Sequence, residues 1–204
     1  MVKYVIRFLA LVVWSLYLFV PSLLSAGVPT DQLRETADKV LAILKDPNRK
    51  SEAKKEERRN ELRQVIYPRF DFEDMAKRSL GTYWRGRTPE EQQDFVKTFS
   101  AILEKSYADK IESYNGEKIA YKSELLDKDY AEVDTKVVTK KGEEFAINYK
   151  LHLVSGVWKV YDLVIENISL VNNYRSQFSR ILSTSSYGEL MRRMKEKSIK
   201  VSAK

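Results

Sequence analysis

The sequence predicts an α+β fold: a twisted four-stranded antiparallel sheet packed by several helices, around either a dry core or an apolar cavity. Three observations predict it. Between residues 31 and 111, apolar residues recur at spacings of three and four, the mark of amphipathic helices. Between 117 and 165 the period changes to two, in four runs separated by short turns. From 170 onward the helical spacing returns. With 204 residues, 43% of them hydrophobic and 32% charged, the chain can build one core. Only 7 glycines and 5 prolines leave no low-complexity linker.

Lys3 and Arg7 open the chain with basic charge. Residues 8–20 follow as an apolar run broken only by Ser15, and Ser25-Ala26-Gly27 supplies small residues for cleavage. A membrane span needs about 20 apolar residues, so the run is short for one. Residues 1–26 are expected to be a cleaved signal peptide, with an uncleaved anchor as the alternative. Residues 27–204 are expected to form a single domain with helical N- and C-terminal parts. The chain contains no cysteine, which excludes a lipidated N-terminus, disulfides and thiol chemistry.

The stripe Leu33, Ala37, Val40, Leu41, Leu44 predicts a helix over 31–45, ended by Pro47. A charged helix over 50–64 is apolar only toward Leu62, Val65 and Ile66, and Pro68 closes it. Asp71 suits the cap of a short helix, and Gly81 suits the left-handed position after it. Thr88-Pro89-Glu90-Glu91 reads as a capping box with proline at the first helical position. The helix it opens carries Phe95, Phe99, Leu103, Tyr107 and Ile111 on one face and stops at Asn115-Gly116. Strands are expected over 117–126 and 130–139. In the third, Phe145, Ile147, Tyr149, Leu151 and Leu153 alternate with Asn148, Lys150 and His152. Ser155-Gly156 turns the chain into the fourth, 157–165. Uninterrupted alternation there puts Trp158, Val160 and Val164 on one face, and Tyr161, Leu163 and Ile165 on the other. A strand apolar on both faces is covered on both. Leu170, Tyr174, Phe178 and Ile181 or Leu182 mark the next helix. Leu190, Met191 and Met194 point inward from a last one, over about 187–199.

Catalytic motifs are scarce. The single histidine, His152, falls on the polar side of a strand and reads as a surface residue. There is no Gly-x-Ser-x-Gly elbow, no glycine-rich phosphate loop and no histidine–cysteine metal cluster. Asp71 and Asp74 form the one obvious carboxylate pair, and a helix cap explains them more simply. No catalytic residue, cofactor or metal is therefore expected. The net charge of +7 comes from 36 basic residues interspersed with 29 acidic ones, which suits ordinary solubility. An exported protein rarely meets nucleic acid, so none is expected as a partner. In the tail, Arg192, Arg193, Lys195, Lys197, Lys200 and Lys204 face only Glu196, which suggests docking on anionic surfaces. The surplus is aromatic, with 12 tyrosines, 8 phenylalanines and 3 tryptophans. A twisted sheet is concave, and helices laid across it need not fill the hollow.

Two regions resemble the MlaC family, also called the toluene-tolerance family, of periplasmic phospholipid-binding proteins. The first comprises Phe70-Asp71-Phe72, Met75-Ala76, Leu80-Gly81 and Trp84, then Thr88-Pro89-Glu90-Glu91-Gln92 and Phe95 to Phe99. The second comprises Gly156-Val157-Trp158-Lys159-Val160-Tyr161-Asp162, Ile165-Glu166, Ser169-Leu170-Val171, Asn173-Tyr174-Arg175 and Phe178. The resemblance spans 31–194. Asn167 stands where the pattern suggests glycine, and 183–187 lacks a glycine before the last helix. The resemblance implies a soluble periplasmic carrier that holds a phospholipid by its acyl chains with the head group outside. Implied partners are an inner-membrane ABC transporter complex and an outer-membrane lipoprotein complex. A hopanoid-associated branch leaves other lipids open as cargo. The expected lining is Phe72, Met75, Leu80, Trp84, Phe99, Leu103, Val133, Val137, Ile147, Tyr149, Leu151, Trp158, Val160, Tyr174 and Phe178. Dry core is the alternative for each, with about half expected to touch lipid. Arg175 is a candidate for a phosphate at the mouth, against a surface ion pair. Two other function classes remain: an enzyme on a related cone-shaped α+β fold, and a non-enzymatic envelope scaffold.

Overall fold

A computed structural model describes residues 28–49 and 51–196, which form six helices and one antiparallel sheet. The expected signal peptide, residues 1–26, lies outside the described residues. Helix α1 (Pro29–Lys45) begins with proline at its first turn and buries Leu33 and Ile43. Two short 3-10 turns follow, so the charged helix α2 starts late, at Lys55, and runs to Ile66. Helix α3 (Phe72–Leu80) is capped by Asp71, whose Oδ1 accepts the Asp74 N–H at 2.9 Å. Gly81 ends it at φ 62°, a conformation that resists a side chain. Helix α4 (Pro89–Glu112) opens on the predicted capping box. The Glu91 N–H donates to Thr88 Oγ1 at 3.3 Å and the Thr88 N–H to the Glu91 carboxylate at 3.0 Å.

The sheet runs in chain order: β1 (Lys118–Asp127), β2 (Tyr130–Val138), β3 (Glu144–Val154), β4 (Val157–Ile165) and β5 (Ile168–Ser169). It has five strands, not the four expected. The fifth is two residues long, too short for alternation to mark. It folds back on Val164 and Ile165 through Glu166-Asn167, which have φ 48° and 65°. Asparagine adopts this left-handed backbone readily, so Asn167 does the work of the missing glycine.

The faces of β4 need a second correction. Leu151 pairs with Val160, but Lys150 pairs with Asp162, which leaves Tyr161 as an extra residue in a bulge. The bulge resets the alternation, so Leu163 and Ile165 share a face with Trp158 and Val160. One continuous apolar face results, by register: Ile119 and Tyr121 on β1, Val133 and Val137 on β2, Phe145 to Leu153 at alternate residues on β3, and Trp158, Val160, Leu163 and Ile165 on β4.

Two hydrophobic clusters divide the interior. Leu33 of α1 packs with Ala131, Val133, Leu151, Trp158 and Val160 on the sheet. Arg69 Nη1 fixes this contact by donating to Gln32 Oε1 at 2.6 Å and to the Trp158 carbonyl at 2.7 Å. The other cluster joins α3, α4, α5 (Leu170–Leu182) and α6 (Tyr187–Lys195) around Met75, Leu80, Phe95, Phe99, Tyr174 and Phe178. Phe70 and Leu163 pack against both. Asp162 is buried in the bulge and accepts the Ser169 hydroxyl at 2.6 Å and the Val171 N–H at 3.0 Å, which anchors α5 on β4.

Ion pairs tie α2 to α4. Arg59 meets Glu112 at 2.6 Å and Asp109 at 2.7 Å, and Arg63 Nε donates to Glu104 at 2.7 Å. The tail is less unopposed than its sequence suggests. Arg192 pairs with both Glu189 and Glu196, Arg193 with Glu189, and Lys195 with Asp94. Glu189 sits one helical turn upstream, outside the stretch that reads as basic, and two arginine hydrogen bonds hold its carboxyl down at about 2. Helix α6 is described to Lys195; residues 197–204, including three of the expected basic residues, lie outside the described residues.

Candidate functional site

The apolar face is covered unevenly. At one end, where α1 lies over it, Val133, Leu151 and Val160 are wholly buried and Trp158 nearly so. Toward the other end Ile119, Tyr121, Val137, Phe145, Ile147, Tyr149, Leu163 and Ile165 are all only half-buried. Half-buried apolar residues also lie on the helices: Val40, Leu41 and Leu44 on α1, Val65 and Ile66 on α2, and Tyr107 and Ile111 on α4. A continuous apolar surface that packing leaves partly open suits an apolar ligand.

The expected lining residues separate into three groups. Met75, Leu80, Trp84, Phe99, Leu103, Tyr174 and Phe178 belong to the helical cluster and are buried. Phe99 stands edge-on to Tyr174 at 5.1 Å and to Phe178 at 6.1 Å. Zero exposure at Phe99, Tyr174 and Phe178 leaves no water-sized space against them. Val133, Leu151, Trp158 and Val160 fill the contact between α1 and the sheet. Phe72, Val137, Ile147 and Tyr149 are the four at half-buried positions. Phe72 stacks on Phe70 at 5.8 Å and tilts against Tyr67 at 4.6 Å. Sequence reasoning missed Ile119, Tyr121 and Phe145, whose alternation was visible, and Leu163 and Ile165, which the bulge concealed.

Polar groups on this face are few. The Thr135 hydroxyl donates to the Ile147 carbonyl at 2.7 Å. Burial pushes the Tyr149 hydroxyl up to about 12, with the Tyr121 hydroxyl adding to the shift. Burial also raises Tyr121, which lies beside Asp38 and carries the Arg34 guanidinium over its ring at 4.7 Å. Tyr174 is raised by burial as well; its hydroxyl faces Ser106 without a well-formed hydrogen bond. Among the described residues no three carboxylate or imidazole groups gather to hold a metal, and no helix is long and apolar enough to cross a membrane.

On the opposite face His152 is not the solvated residue its alternation suggests. Its Nε2 lies 3.0 Å from Asp71 Oδ2, and its ring stands edge-on to Tyr161 at 5.4 Å. Arg78 covers Tyr161 at 4.2 Å and donates to Asp74 at 2.6 Å. The start of α3 folds over this face, a contact 81 residues distant in sequence. Arg175, considered for a phosphate, donates through Nε to the Arg78 carbonyl at 3.0 Å, beside Gly81.

Comparison with known proteins gives concordant matches. The family model described as MlaC protein matches residues 34–196. The intermembrane phospholipid transport system binding protein MlaC of Haemophilus influenzae is 24% identical over 169 residues, covering 80% of this chain and 79% of that protein. Toluene tolerance protein ttg2D of Pseudomonas putida is 26% identical over 157 residues, covering 76% and 73%. Among solved structures, the phospholipid-binding protein of Ralstonia solanacearum in complex with a phospholipid aligns with a TM-score of 0.71. Its identity is 28%, over 81% of this chain and 94% of that one.

Proposed function

Since this chain belongs to the MlaC family, we propose that it carries phospholipid, holding the acyl chains against the half-open sheet face and leaving the head group in solvent. The observation that carries this reading is the half-buried apolar surface from Ile119 to Ile165, continuous across four strands. The name of the Haemophilus relative and the bound phospholipid of the Ralstonia protein support the same cargo. Work is expected in the periplasm, between an outer-membrane lipoprotein complex and an inner-membrane ABC transporter complex, and without catalysis.

The physics sets the division of labour. Each methylene withdrawn from water is worth about 0.8 kcal/mol, so two long chains amount to about 20 kcal/mol gross. Neither chain can wait in water, so a carrier must shield both and release them only to a partner with an equivalent apolar path. Burying the phosphate charge would cost several kcal/mol, so the head group stays outside. Phe72, Val137, Ile147 and Tyr149 are the first residues proposed to touch the chains.

Native mass spectrometry of protein purified from cells tests the reading. The expected result is an added mass matching a diacyl phospholipid. A hopanoid mass would keep the carrier and change its cargo, and a bare polypeptide mass would return the protein to the scaffold class.

A further inference from the structure

The half-open face is apolar except at Thr135 and two tyrosines. Tyr121 of β1 pairs with Thr135 of β2, and Tyr149 of β3 pairs with Val133 of β2. The two tyrosines therefore flank the same stretch of β2 from opposite sides, and their hydroxyls lie within electrostatic reach of each other. Thr135, between them, has already spent its hydroxyl on the Ile147 carbonyl. Among the described residues neither tyrosine hydroxyl has a hydrogen-bond partner. A phenol hydroxyl in apolar surroundings favours any ligand that brings an acceptor to it. Alkyl chains bring none. A diacyl lipid brings two ester carbonyls where its chains join the glycerol, and phosphate oxygens a few bonds further out.

We propose that Tyr121 and Tyr149 form a hydrogen-bonding subsite for the ester carbonyls of the bound lipid, so that the protein selects ester-linked over ether-linked chains. The proposal rests on the carrier reading and names the part of the ligand that the site recognises. The tyrosines set how far the chains enter: the apolar surface accepts methylenes of any number, and the carbonyls stop where the hydroxyls are. Arg34 lies over the Tyr121 ring at 4.7 Å with its side chain half-exposed, so the proposal puts the head group on that solvent side.

The test is a competition. The full mature chain, stripped of lipid, is incubated with vesicles holding equal amounts of a diacyl phosphatidylethanolamine and its dialkyl ether analogue. Head group and chain length are matched, and the bound lipid is read by mass spectrometry. One net hydrogen bond corresponds to about a fivefold preference, so the wild type should hold the ester lipid in at least about fivefold excess. Tyr149→Phe should reduce that ratio, and the Tyr121→Phe, Tyr149→Phe pair should bring it near one by lowering ester loading more than ether loading. Phenylalanine removes only the oxygen, and circular dichroism melting checks that each variant folds. No ester preference in the wild type, or a preference the double variant keeps, overturns the proposal. Equal loss of both lipids in the double variant also overturns it, because the hydroxyls would then meet the phosphate that both lipids share. Uptake of neither lipid by the wild type is a different failure, that of the carrier reading itself.

Discussion

Ile147 and Val160 lie on the same face of the sheet, yet a charge should affect them differently. Ile147 pairs with Thr135 and Ile165 at the half-open end, whereas Val160 is fully buried against the α1 cluster. In Ile147→Glu the new carboxylate can hydrate once lipid is gone. The variant should keep its circular dichroism spectrum and be purified without lipid. Val160→Glu buries a carboxylate with no partner, at several kcal/mol against a total stability of about 5–15 kcal/mol. It should be largely unfolded by the same spectrum. A folded Ile147→Glu that still carries lipid would remove this residue from the lining. Alternation in the sequence placed both side chains on one face but could not rank their burial, which depends on where the distant helix α1 comes to rest. His152 shows the same limit, since α3 covers the face that its strand pattern marks as polar.

The starts of α3 and α4 were legible because a cap is a contact between near neighbours. Thr88 and Glu91 are three apart, and both capping hydrogen bonds form as their spacing implies. Thr88→Ala should cost about 1 kcal/mol, measured as a lower midpoint in urea unfolding with an unchanged slope. The bulge at Tyr161 was not legible, because an extra residue leaves no mark on composition and shows only in the pairing with β3. The clamp between α2 and α4 predicts a pH response. The Arg63 hydrogen bond holds Glu104 below the usual carboxylate range. At Glu112 burial acts in the raising direction, but the Arg59 hydrogen bond and the charges of Arg59 and Arg58 outweigh it. Both carboxylates have folded values below the ordinary 4.5, so their stabilisation is full above that pH and is lost as the pH falls through the lower folded values. Amide exchange in α2, corrected for intrinsic rate, should therefore accelerate at about pH 3.5 relative to pH 6 while α5 stays protected. Equal protection of α2 at both pH values would show that its packing does not need the clamp.

Across the whole molecule, the residues that carried the family resemblance and those at the open face are largely different sets. Met75, Leu80, Trp84, Phe99, Tyr174 and Phe178 fill the helical cluster, so the motifs report the scaffold more than the ligand surface. The family was readable from them, and the half-open end was not, because it is defined by what packing fails to cover. A ligand that binds only the folded state adds to its stability, by about 2.7 kcal/mol at a hundred times the dissociation constant. Extraction of lipid should accordingly lower the calorimetric melting temperature, and adding back diacyl lipid should restore it. An unchanged melting temperature would argue that lipid does not occupy the folded interior.

Two clusters that each close on themselves, with only Phe70 and Leu163 shared, also make the molecule mechanically uneven. Hydrostatic pressure favours states with less void, and the half-buried end of the sheet is expected to be the compliant region. In lipid-free protein, NMR shifts under pressure should concentrate at Ile119, Val137, Phe145, Ile147 and Ile165, with Phe95, Phe99 and Phe178 nearly still. The protein would then behave like a bellows with two stiff plates, able to take chains of different length by changing its interior volume without altering either plate.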